Sequence, residues 1–419
     1  MSTLSSVLGD DAGILGERSF QLLFLANLVP PLGTALLSPV LDSLIDPLGA
    51  SPATIGLMMS AFTAPSVVVI PIAGVVADRY GRRPVILFGL LWFGLTGTAI
   101  AFTTDYTVVL SLRLLQGIGF AALTPIIITS LGDLYTGTKE ATAQGLRFTG
   151  SGLSQTVFPL CAGVLVGVAW QYPFLLNAIA FPIAVVIYLF FEEPVDPDAD
   201  RSDDGDAAGF GDLWALVSQR RAWAMVVVRG TPTMAWLGFL TYNSLVVVDL
   251  VGGTPAQAGL LAALGSLSYA LAATQAGRIT ARFDSRLLPL VGMNVSMAGG
   301  VGLVFVSRTL ATAAVGVVLM GLGFGVTLSL YRSIVTSLAP ASLRGGFVSI
   351  GEGVGRLSST VTPLAMGAAI AFATPLVGFE AAVQYVGVAT GLFAGALGIV
   401  CLVLVRTAPP IRLDGPEPT

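Results

Sequence analysis

The sequence predicts an all-α polytopic membrane protein with twelve transmembrane helices in two pseudo-symmetric six-helix bundles. Composition, the length of the apolar runs and an internal repeat support this prediction. Hydrophobic residues make up 54% of the 419 positions and charged residues only 11%, with a mean hydropathy of +0.86. A helix needs about 20 apolar residues to cross roughly 30 Å of hydrocarbon. The apolar runs are continuous and of that length, whereas barrel strands alternate polar and apolar residues over about ten.

Six spans precede a polar segment and six follow it. The first six are predicted at about 18–41, 53–76, 84–103, 107–131, 142–168 and 171–191. The last six are predicted at about 222–248, 255–280, 287–306, 310–337, 345–373 and 382–405. The chain therefore divides into an N-terminal bundle (1–191), a linker (192–221), a C-terminal bundle (222–405) and a tail (406–419). Residues 192–206 are acidic and proline-rich, which predicts a solvated linker, and 209–221 predict a short amphipathic helix on the membrane face.

The distribution of basic residues predicts that both termini and the linker are cytoplasmic, in a multi-pass protein of the plasma membrane. Lysine and arginine are retained on the cytoplasmic side of membrane proteins. With an internal N-terminus, the outer loops hold only Arg308, and Arg147, Arg278 and Arg332 lie near inner helix ends. The inner segments hold Arg18, Arg79, Arg82, Arg83, Lys139, Arg201, Arg220, Arg221, Arg282, Arg286, Arg344, Arg406 and Arg412.

Several function classes are excluded by missing residue types. There is no histidine, so a histidine metal site, a Ser-His-Asp triad and a histidine proton relay are excluded. Cys161 and Cys401 both lie in apolar runs, which argues against a disulfide framework. The first 17 residues lack the basic region of a signal peptide. We expect no enzymatic activity, no cofactor and no metal.

The two halves of the chain repeat each other. The segment 51–58 (SPATIGLM) matches 254–261 (TPAQAGLL) at an offset of 203 residues. At an offset of 204, GIGF at Gly117 matches GLGF at Gly321, and 158–163 (FPLCAG) matches 362–367 (TPLAMG). Parallel six-helix repeats of this kind enclose a site between them and rock about it.

A cluster of charge and glycine lies between the second and third spans. The pattern G-x-x-x-D-R-x-G-R-R is formed by Gly74, Asp78, Arg79, Gly81, Arg82 and Arg83. It resembles the signature of the major facilitator superfamily, and the whole chain resembles the twelve-helix drug:proton antiporter-like branch of that family. A degenerate copy at 277–286 keeps Gly277, Arg282 and Arg286 but has Ala281 where the acid is expected.

The charged motif at 74–83 has two interpretations. Gly74 allows close helix approach, Gly81 permits positive φ, and Asp78 accepts from Arg82, with Asp133 of the fourth span as a third partner. The resemblance implies that this group latches the outward-facing state and breaks for the inward-facing one. The alternative is an ordinary basic loop placed by the positive-inside rule.

A second signature lies in the fourth span, where Arg113, Gln116 and Gly117 resemble the family's arginine, glutamine, glycine pattern. An arginine here costs about 2.5 to 3.5 kcal/mol on insertion scales and should face the bundle interior or a watery cavity. It either holds backbone carbonyls of neighbouring helices or, as the resemblance implies, supports proton transfer or the fifth helix.

The fifth span only partly resembles the drug antiporter pattern. Gly145, Pro159 and Gly163 are kept, but Ser154, Phe158 and Ala162 replace other glycines, and Gln171 replaces a nearby arginine, so the subfamily stays open. Pro159 by itself indicates a simple kink.

Further ionisable residues inside spans are Arg229, Glu352 and Arg356. Glu352 and Arg356, four apart on one helix face, either neutralise each other or include a proton carrier, Glu352. Glu352 is favoured as the carrier because the first span offers only Asn27 and, near its outer end, Asp42. Polar residues that bind substrate or merely bridge helices are Asn27, Gln155, Tyr242, Asn243, Gln275, Asn294 and Tyr331.

These patterns predict a secondary transporter that moves a small organic molecule by alternating access through proton-coupled efflux. The alternatives are an uptake symporter or facilitator for a sugar or organic acid, and a non-transporting membrane sensor. Few cavity charges favour a neutral or amphiphilic substrate, although Arg229 leaves room for an anion. We expect a small-molecule substrate, protons or sodium as coupling ion, a lipid bilayer environment, no nucleic-acid partner and a monomer.

Overall fold

A computed structural model describes residues 9–193, 210–283, 286–340 and 343–409, and these residues form helices joined by short connections. The helices are α1 (Arg18–Asn27), α2 (Leu57–Tyr80), α3 (Arg82–Ala99), α4 (Tyr106–Leu134), α5 (Gly137–Leu165), α6 (Tyr172–Phe190), α7 (Arg220–Leu250), α8 (Pro255–Thr280), α9 (Leu287–Val306), α10 (Leu310–Leu338), α11 (Arg344–Val377) and α12 (Phe379–Thr407). Shorter helical turns are Gly9–Gly16, Leu32–Ala35, Asp42–Leu44, Ile45–Leu48 and Ile100–Phe102. Most of the predicted acidic linker (194–209) and the tail from 410 lie outside the described residues.

Ten of these helices are long and apolar enough to cross a membrane; the exceptions are α1 and α5. The prediction of one continuous helix over 18–41 was wrong. Regular helix stops at Asn27, and only a short turn at Leu32–Ala35 follows. Pro30, Pro31 and Pro39 interrupt this stretch, because proline lacks the backbone N–H that continues a helix. α5 is long enough, but its first half is polar.

The loop between the second and third spans is shorter than predicted, because α2 continues to Tyr80 and α3 starts at Arg82. Gly81 alone separates the two helices and has a φ of +94°, which the sequence predicts for this glycine. α2 is itself interrupted next to Pro65, between Leu57–Thr63 and Ser66–Tyr80. The charged cluster therefore lies at a tight reversal between two membrane helices.

The described residues fall into two compact units. One contains residues up to 193 together with Asn243–Val248 and Gly253–Ala263, and the other contains the rest. The first unit therefore includes the end of α7 and the beginning of α8. Asn243 explains part of this grouping, because its amide donates to the Ser38 hydroxyl at 3.5 Å and to the Ala258 carbonyl at 2.9 Å.

The half-chain repeat is present in the helix packing. A Cβ added to Gly119 of α4 would lie 2.8 Å from the Phe93 nitrogen of α3. A Cβ added to Gly323 of α10, 204 residues later, would lie 2.7 Å from the Met297 nitrogen of α9. Each crossing requires a glycine, because only a residue without a side chain allows backbones to approach this closely. Within each unit, the same glycine makes the same crossing.

A short helix, Phe210–Ser218, precedes α7 and is referred to as the linker helix. Leu216 is fully buried in the core that also contains residues of α7, α10 and α11. Leu213 packs against Gly346 near the start of α11, while Trp214 on the opposite face is exposed. The linker helix therefore buries one side against the second unit and leaves the other side exposed.

Candidate functional site

Arg82 lies between two carboxylates at the α2–α3 reversal. Its Nη1 donates to Oδ1 of Asp78, one turn earlier, and its Nε donates to Oδ2 of Asp133 on α4 at 2.9 Å. The guanidinium is largely buried, whereas Asp78 is exposed and Asp133 is partly buried. The fork of an arginine allows this double contact, which a lysine ammonium does not reproduce. One side chain therefore ties the ends of α2, α3 and α4 together.

Glu193, immediately after α6, joins the same cluster and was not singled out in the sequence. Its Oε1 accepts from the Arg82 backbone N–H at 2.6 Å, and its Oε2 accepts from the Arg83 backbone N–H at 2.9 Å. The first N–H groups of a helix lack intrahelical partners, and their dipoles attract a carboxylate. A Cβ at position 81 would lie 2.6 Å from the Glu193 carboxylate, so Gly81 also leaves space for this cap.

In the described part of the second copy of the motif, at 277–286, the arginines contact neutral side chains instead of carboxylates. Arg286 donates to the Ser333 hydroxyl of α10 at 3.4 Å, and Arg278 donates to Gln275 one turn earlier at 3.1 Å. Position 281 is alanine, as the sequence shows, so the carboxylate of Asp78 has no counterpart there. Residues 284 and 285 lie outside the described chain.

Arg113 is buried within the first unit, with 2% of its surface exposed. Its Nη2 donates to the Gly33 carbonyl at 2.6 Å, its Nε to the Met58 carbonyl at 3.1 Å, and its Nη1 to the Gln116 side chain at 2.7 Å. The guanidinium also lies over the Phe62 ring, 4.4 Å from its centroid. The carbonyl of Gly33 is free for this contact because it lies where the first span is broken by proline.

The other residues of this second signature extend the network. Gln116 donates to the Asn177 side chain of α6 at 3.0 Å. A Cβ on Gly117 would collide with the Phe62 carbonyl of α2. Arg113, Gln116 and Gly117 therefore hold α4 against three neighbouring segments of the first unit, an arrangement that corresponds to the carbonyl-holding interpretation.

The residues of the fifth span have separate environments. A Cβ on Gly163 would lie 2.5 Å from the Pro255 carbonyl oxygen, and a Cβ on Gly259 would collide with the carbonyl of Pro159. α5 and the beginning of α8 therefore cross in backbone contact. Around Gly145 there is open space instead, with no atom within 4 Å of an added Cβ.

Glu352 of α11 lies in a cluster of arginines in the second unit. Its Oε1 accepts from Arg229 Nη2 of α7 at 2.6 Å and from Arg332 Nε of α10 at 3.1 Å. Its Oε2 accepts from Arg332 Nη2 at 3.4 Å. Arg356, one turn further along α11, interacts electrostatically with all three groups. The sequence indicated Glu352, Arg229 and Arg356, but it placed Arg332 near a helix end and missed its contact with Glu352.

The seven polar cavity candidates are divided between the two units. Asn294 donates to the Tyr331 hydroxyl at 2.6 Å in the interior of the second unit. Asn27 donates to the Arg147 carbonyl and to the Ser151 hydroxyl, both at 2.9 Å, so it bridges α1 and α5. The remaining four differ in burial: Tyr242 and Asn243 are buried, Gln155 is half-buried, and Gln275 is exposed.

One further ion pair, missed in the sequence, joins the start of α1 to the α4–α5 connection. Lys139 Nζ lies 2.6 Å from Glu17 Oε1 and 5.0 Å from the centroid of the Tyr135 ring. The hydrogen bond from Lys139 lowers the pKa of the Glu17 carboxyl below its ordinary value. Burial, together with the nearby Glu17 carboxylate, raises the pKa of Tyr135.

Comparison with known proteins gives a consistent result. The family model described as Major Facilitator Superfamily matches residues 23–250. The "Bacillibactin exporter" of Bacillus subtilis (strain 168) is 33% identical over 154 residues, which are 35% of this chain and 38% of that protein. The "Tetracycline resistance protein, class H" of Pasteurella multocida is 22% identical over 348 residues, 80% of this chain and 85% of that protein. The chain thus spans about two fifths of the first of these relatives and most of the second.

Solved structures are similar in fold. A bacterial homologue of the human lysosomal transporter Spinster, in an inward-facing and unoccupied conformation, matches with a TM-score of 0.78 at 17% identity, covering 93% of this chain and 97% of that one. This match establishes the architecture of the chain.

Proposed function

The chain belongs to the Major Facilitator Superfamily, and we propose that it exports small organic or drug-like molecules from the cell, driven by the proton gradient. The protein is a transporter and has no enzymatic role, as its family implies. The relative named for tetracycline resistance, matched over 80% of this chain, carries the proposal of export, because removal of a compound from the cell is one direct route to resistance. The partial match to a protein named as an exporter supports the same direction.

In this proposal the bundles 1–191 and 222–405 are the two moving bodies, joined by the linker 192–221 and followed by the tail 406–419. The protein is a monomer in the plasma membrane, with the termini and the linker cytoplasmic. The positive-inside distribution of arginine supports this orientation.

Asp78, Arg82 and Asp133 form the proposed latch, with Arg79, Gly81 and Arg83 at the reversal beside it. The close helix approach predicted at Gly74 is not found among the described residues, because an added Cβ there would meet no atom within 4 Å. Charge-assisted bonds from one arginine to two carboxylates are among the stronger polar contacts in proteins. A contact made in one conformation and broken in another biases the equilibrium by its free-energy difference between the two states. The Glu193 cap supports the proposal, because it attaches the end of α6, and hence the start of the linker, to the same reversal.

Glu352 is the proposed proton carrier. The helices α7 to α12 contain three acidic residues. Asp249 and Glu380 lie in terminal turns, whereas Glu352 lies further inside its helix. Protonation would remove the charge that binds Arg229 and Arg332, so it would release two helices, α7 and α10, from α11. Arg113 has no role in proton transfer in this proposal, because its donors are occupied within the first unit.

The test is transport into or out of proteoliposomes under an imposed pH gradient, with a panel of fluorescent drug-like substrates. We expect accumulation against the substrate gradient by the native protein. Glu352→Gln should lose gradient-driven transport and keep substrate counterflow. Asp133→Asn should lower the rates of both by changing the conformational equilibrium. Arg308→Gln, which alters an exposed arginine paired with Glu380, is the control.

Substrate movement that follows only its own gradient, unaffected by pH, would contradict proton coupling. Gradient-driven transport by Glu352→Gln at the native rate would reject Glu352 as the carrier.

A further inference from the structure

The end of the second unit that carries the linker helix is rich in exposed arginine. Arg220 begins α7, Arg344 begins α11, and Arg406 lies in the last turn of α12, and all three are exposed. In the part of the chain that the structure describes, none of the three contacts a carboxylate. The linker helix contributes a single acid, Asp212. These groups together are therefore net positive.

Packing within the second unit places two of these arginines beside the linker helix. Leu213 of the linker helix packs against Gly346, which lies two residues after Arg344. Leu216 of the linker helix is buried in the core to which the first turns of α7 and α11 also belong. Arg220 follows the linker helix after one residue, so the chain passes directly from the linker helix into α7.

The third arginine marks where the apolar surface of α12 ends. The first part of α7, Arg220–Val228, packs against α12 within the same core. On α12, Val400 and Val403 are about half exposed, and the exposed Arg406 follows Val403 after one turn. Exposed valines are compatible with acyl chains, whereas an exposed arginine is costly there and stable among headgroups. We therefore expect the boundary between hydrocarbon and headgroups between Val403 and Arg406.

Two exposed tryptophans accompany the arginines. Trp214 of the linker helix is 65% exposed, and Trp223, one turn after Arg220, is 38% exposed. Leu216 and Ala222, on the same two helices, are fully buried, so the tryptophans lie on the sides that face away from the protein core. A tryptophan ring has an apolar body and a polar N–H, which makes it typical of the layer between acyl chains and water. Tryptophan together with arginine on a helix is typical of a surface that binds to a bilayer.

We propose that these residues, Trp214, Arg220, Trp223, Arg344 and Arg406, form a lipid-binding surface for the headgroups of anionic phospholipids. The planar fork of an arginine matches a phosphodiester, and bidentate bonds of this kind are strong. Phosphatidylglycerol carries a net negative charge that the zwitterionic phosphatidylcholine lacks, so the net positive surface selects the anionic lipid. In the proposed orientation this is the cytoplasmic leaflet, whose anionic lipids attract basic segments next to membrane helices.

Lipid binding at this surface attaches the linker helix to two partners at once. Leu216 fixes one side of the helix in the core of the second unit, and Trp214 fixes the other side in the headgroup layer. The inference is independent of the direction of transport and of proton transfer by Glu352.

The test is native mass spectrometry of the full-length protein, released from micelles that contain equal amounts of phosphatidylglycerol and phosphatidylcholine with the same acyl chains. We expect the native protein to retain phosphatidylglycerol in at least fivefold excess over phosphatidylcholine. In Arg220→Gln/Arg344→Gln this ratio should fall at least threefold. The matched control is Arg18→Gln/Arg308→Gln, which removes the same charge from two exposed arginines outside the lipid-binding surface and should keep the native ratio.

Two outcomes would overturn the inference. Equal retention of the two lipids by the native protein would show that the surface does not select anionic lipid, and would leave the acidic residues of 192–206 as the partner of matching charge. Equal ratios in the two double variants would show that the selective lipid binds elsewhere.

A second measurement uses the tryptophans and leaves every arginine in place. In lipid nanodiscs of fixed composition, either the phosphatidylglycerol or the phosphatidylcholine carries brominated acyl chains, which quench indole fluorescence on contact. We expect stronger quenching by the brominated phosphatidylglycerol in the native protein and loss of this difference in Trp214→Phe/Trp223→Phe. Trp170→Phe, which alters a half-buried ring beside Phe174 in the first unit, is the control and should keep the difference. A difference that persists in Trp214→Phe/Trp223→Phe would refute the location.

Lipid retention and transport separate the two proposals. If the protein retains phosphatidylglycerol selectively but moves no substrate under an imposed gradient, the export function fails and the lipid-binding surface remains. If the protein exports substrate but retains the two lipids equally, the lipid-binding surface fails and the export function remains.

Discussion

The three arginine clusters differ in what surrounds the guanidinium, and that difference separates their roles. Arg82 contacts two carboxylates in a partly exposed place, so its bonds can exchange with water when the helices move. Arg113 is buried against backbone carbonyls, which cannot leave without opening the bundle. Arg332 is half exposed and shares one carboxylate with another arginine. The same residue type therefore occurs in three settings: between two carboxylates, against backbone carbonyls, and on a carboxylate shared with a second arginine.

Arg113→Ala should destabilise the protein. It removes the donors to the carbonyls of Gly33 and Met58, and each buried acceptor left without a partner costs about 1 to 3 kcal/mol. We expect a clear fall in the thermal unfolding temperature of Arg113→Ala in detergent, where no proton gradient exists. Arg308→Ala is the control and should unfold at the native temperature. Native thermal stability of Arg113→Ala combined with lost transport would instead favour the proton-transfer interpretation.

The Glu17–Lys139 pair should respond to acid. Lys139 is the one lysine of the sequence, so ¹⁵N-lysine labelling gives a single side-chain signal. Because Lys139 lowers the pKa of Glu17, the pair stays intact above the ordinary value of 4.5 and is lost only as the pH falls below it. We expect the Lys139 signal to titrate with a midpoint below 4.5.

Glu17→Gln is the matched control, since it removes the titrating carboxylate and keeps the shape of the side chain. Its lysine signal should show no such transition. A midpoint at or above the ordinary glutamate value would contradict the assigned pair. The stability involved is small, because the pair is half exposed to solvent.

At the scale of elements, the positions of the helices follow from the lengths of the apolar runs. The breaks within helices and the contacts between helices do not follow from them. Twelve spans and the Gly81 reversal were predictable because bilayer thickness and glycine backbone freedom are local constraints. The break after Asn27 depends on prolines that membrane helices sometimes tolerate, because neighbours satisfy the freed backbone groups. The contacts of Glu193 and Arg332 join residues distant in sequence, and neither residue type nor spacing indicates such partners.

Gly163→Ala should be more disruptive than Gly145→Ala on the same helix. At position 163 the added Cβ lies 2.5 Å from the Pro255 carbonyl oxygen and 2.9 Å from the Ala256 Cα, so α8 must move away from α5. Overpacking of this kind costs typically about 1 to 3 kcal/mol. At position 145 an added Cβ meets nothing within 4 Å.

The two variants are compared by thermal unfolding in one detergent. We expect a lower unfolding temperature for Gly163→Ala and an unchanged or slightly higher one for Gly145→Ala, since alanine is the better helix former. Indistinguishable unfolding temperatures would show that α5 and α8 do not approach as closely as the structure indicates.

At the scale of the whole molecule, the repeat is kept in the packing but lost in the charges. The glycine crossings at Gly119 and Gly323 are equivalent, so both halves retain the same way of packing their third and fourth helices. The carboxylates of the proposed latch occur in the first half only, and the arginine cluster around Glu352 occurs in the second. The proposed latch and the proposed proton carrier therefore lie in different halves of the chain.

The orientation and the number of crossings are tested together by cysteine labelling. In a background with Cys161 and Cys401 replaced by serine, single cysteines are introduced at Ser5, Ser51, Gly205 and Thr309. Each helix that crosses the membrane moves the chain to the other side. Ser51 therefore lies on the opposite side from Ser5 only if the broken first span crosses. Thr309 lies on the opposite side from Gly205 because α7, α8 and α9 lie between them. The arginine distribution places Ser5 and Gly205 inside.

We therefore expect a membrane-impermeant maleimide to label Ser51→Cys and Thr309→Cys in intact cells, and Ser5→Cys and Gly205→Cys only in inverted vesicles. Labelling of Ser5→Cys and Gly205→Cys on opposite sides would mean that an odd number of the first six segments crosses. The first span is the element at which that failure would arise, because α1 covers only Arg18–Asn27 and prolines interrupt the stretch that follows it. Labelling of Ser51→Cys from the same side as Ser5→Cys would show directly that the first span does not cross the membrane.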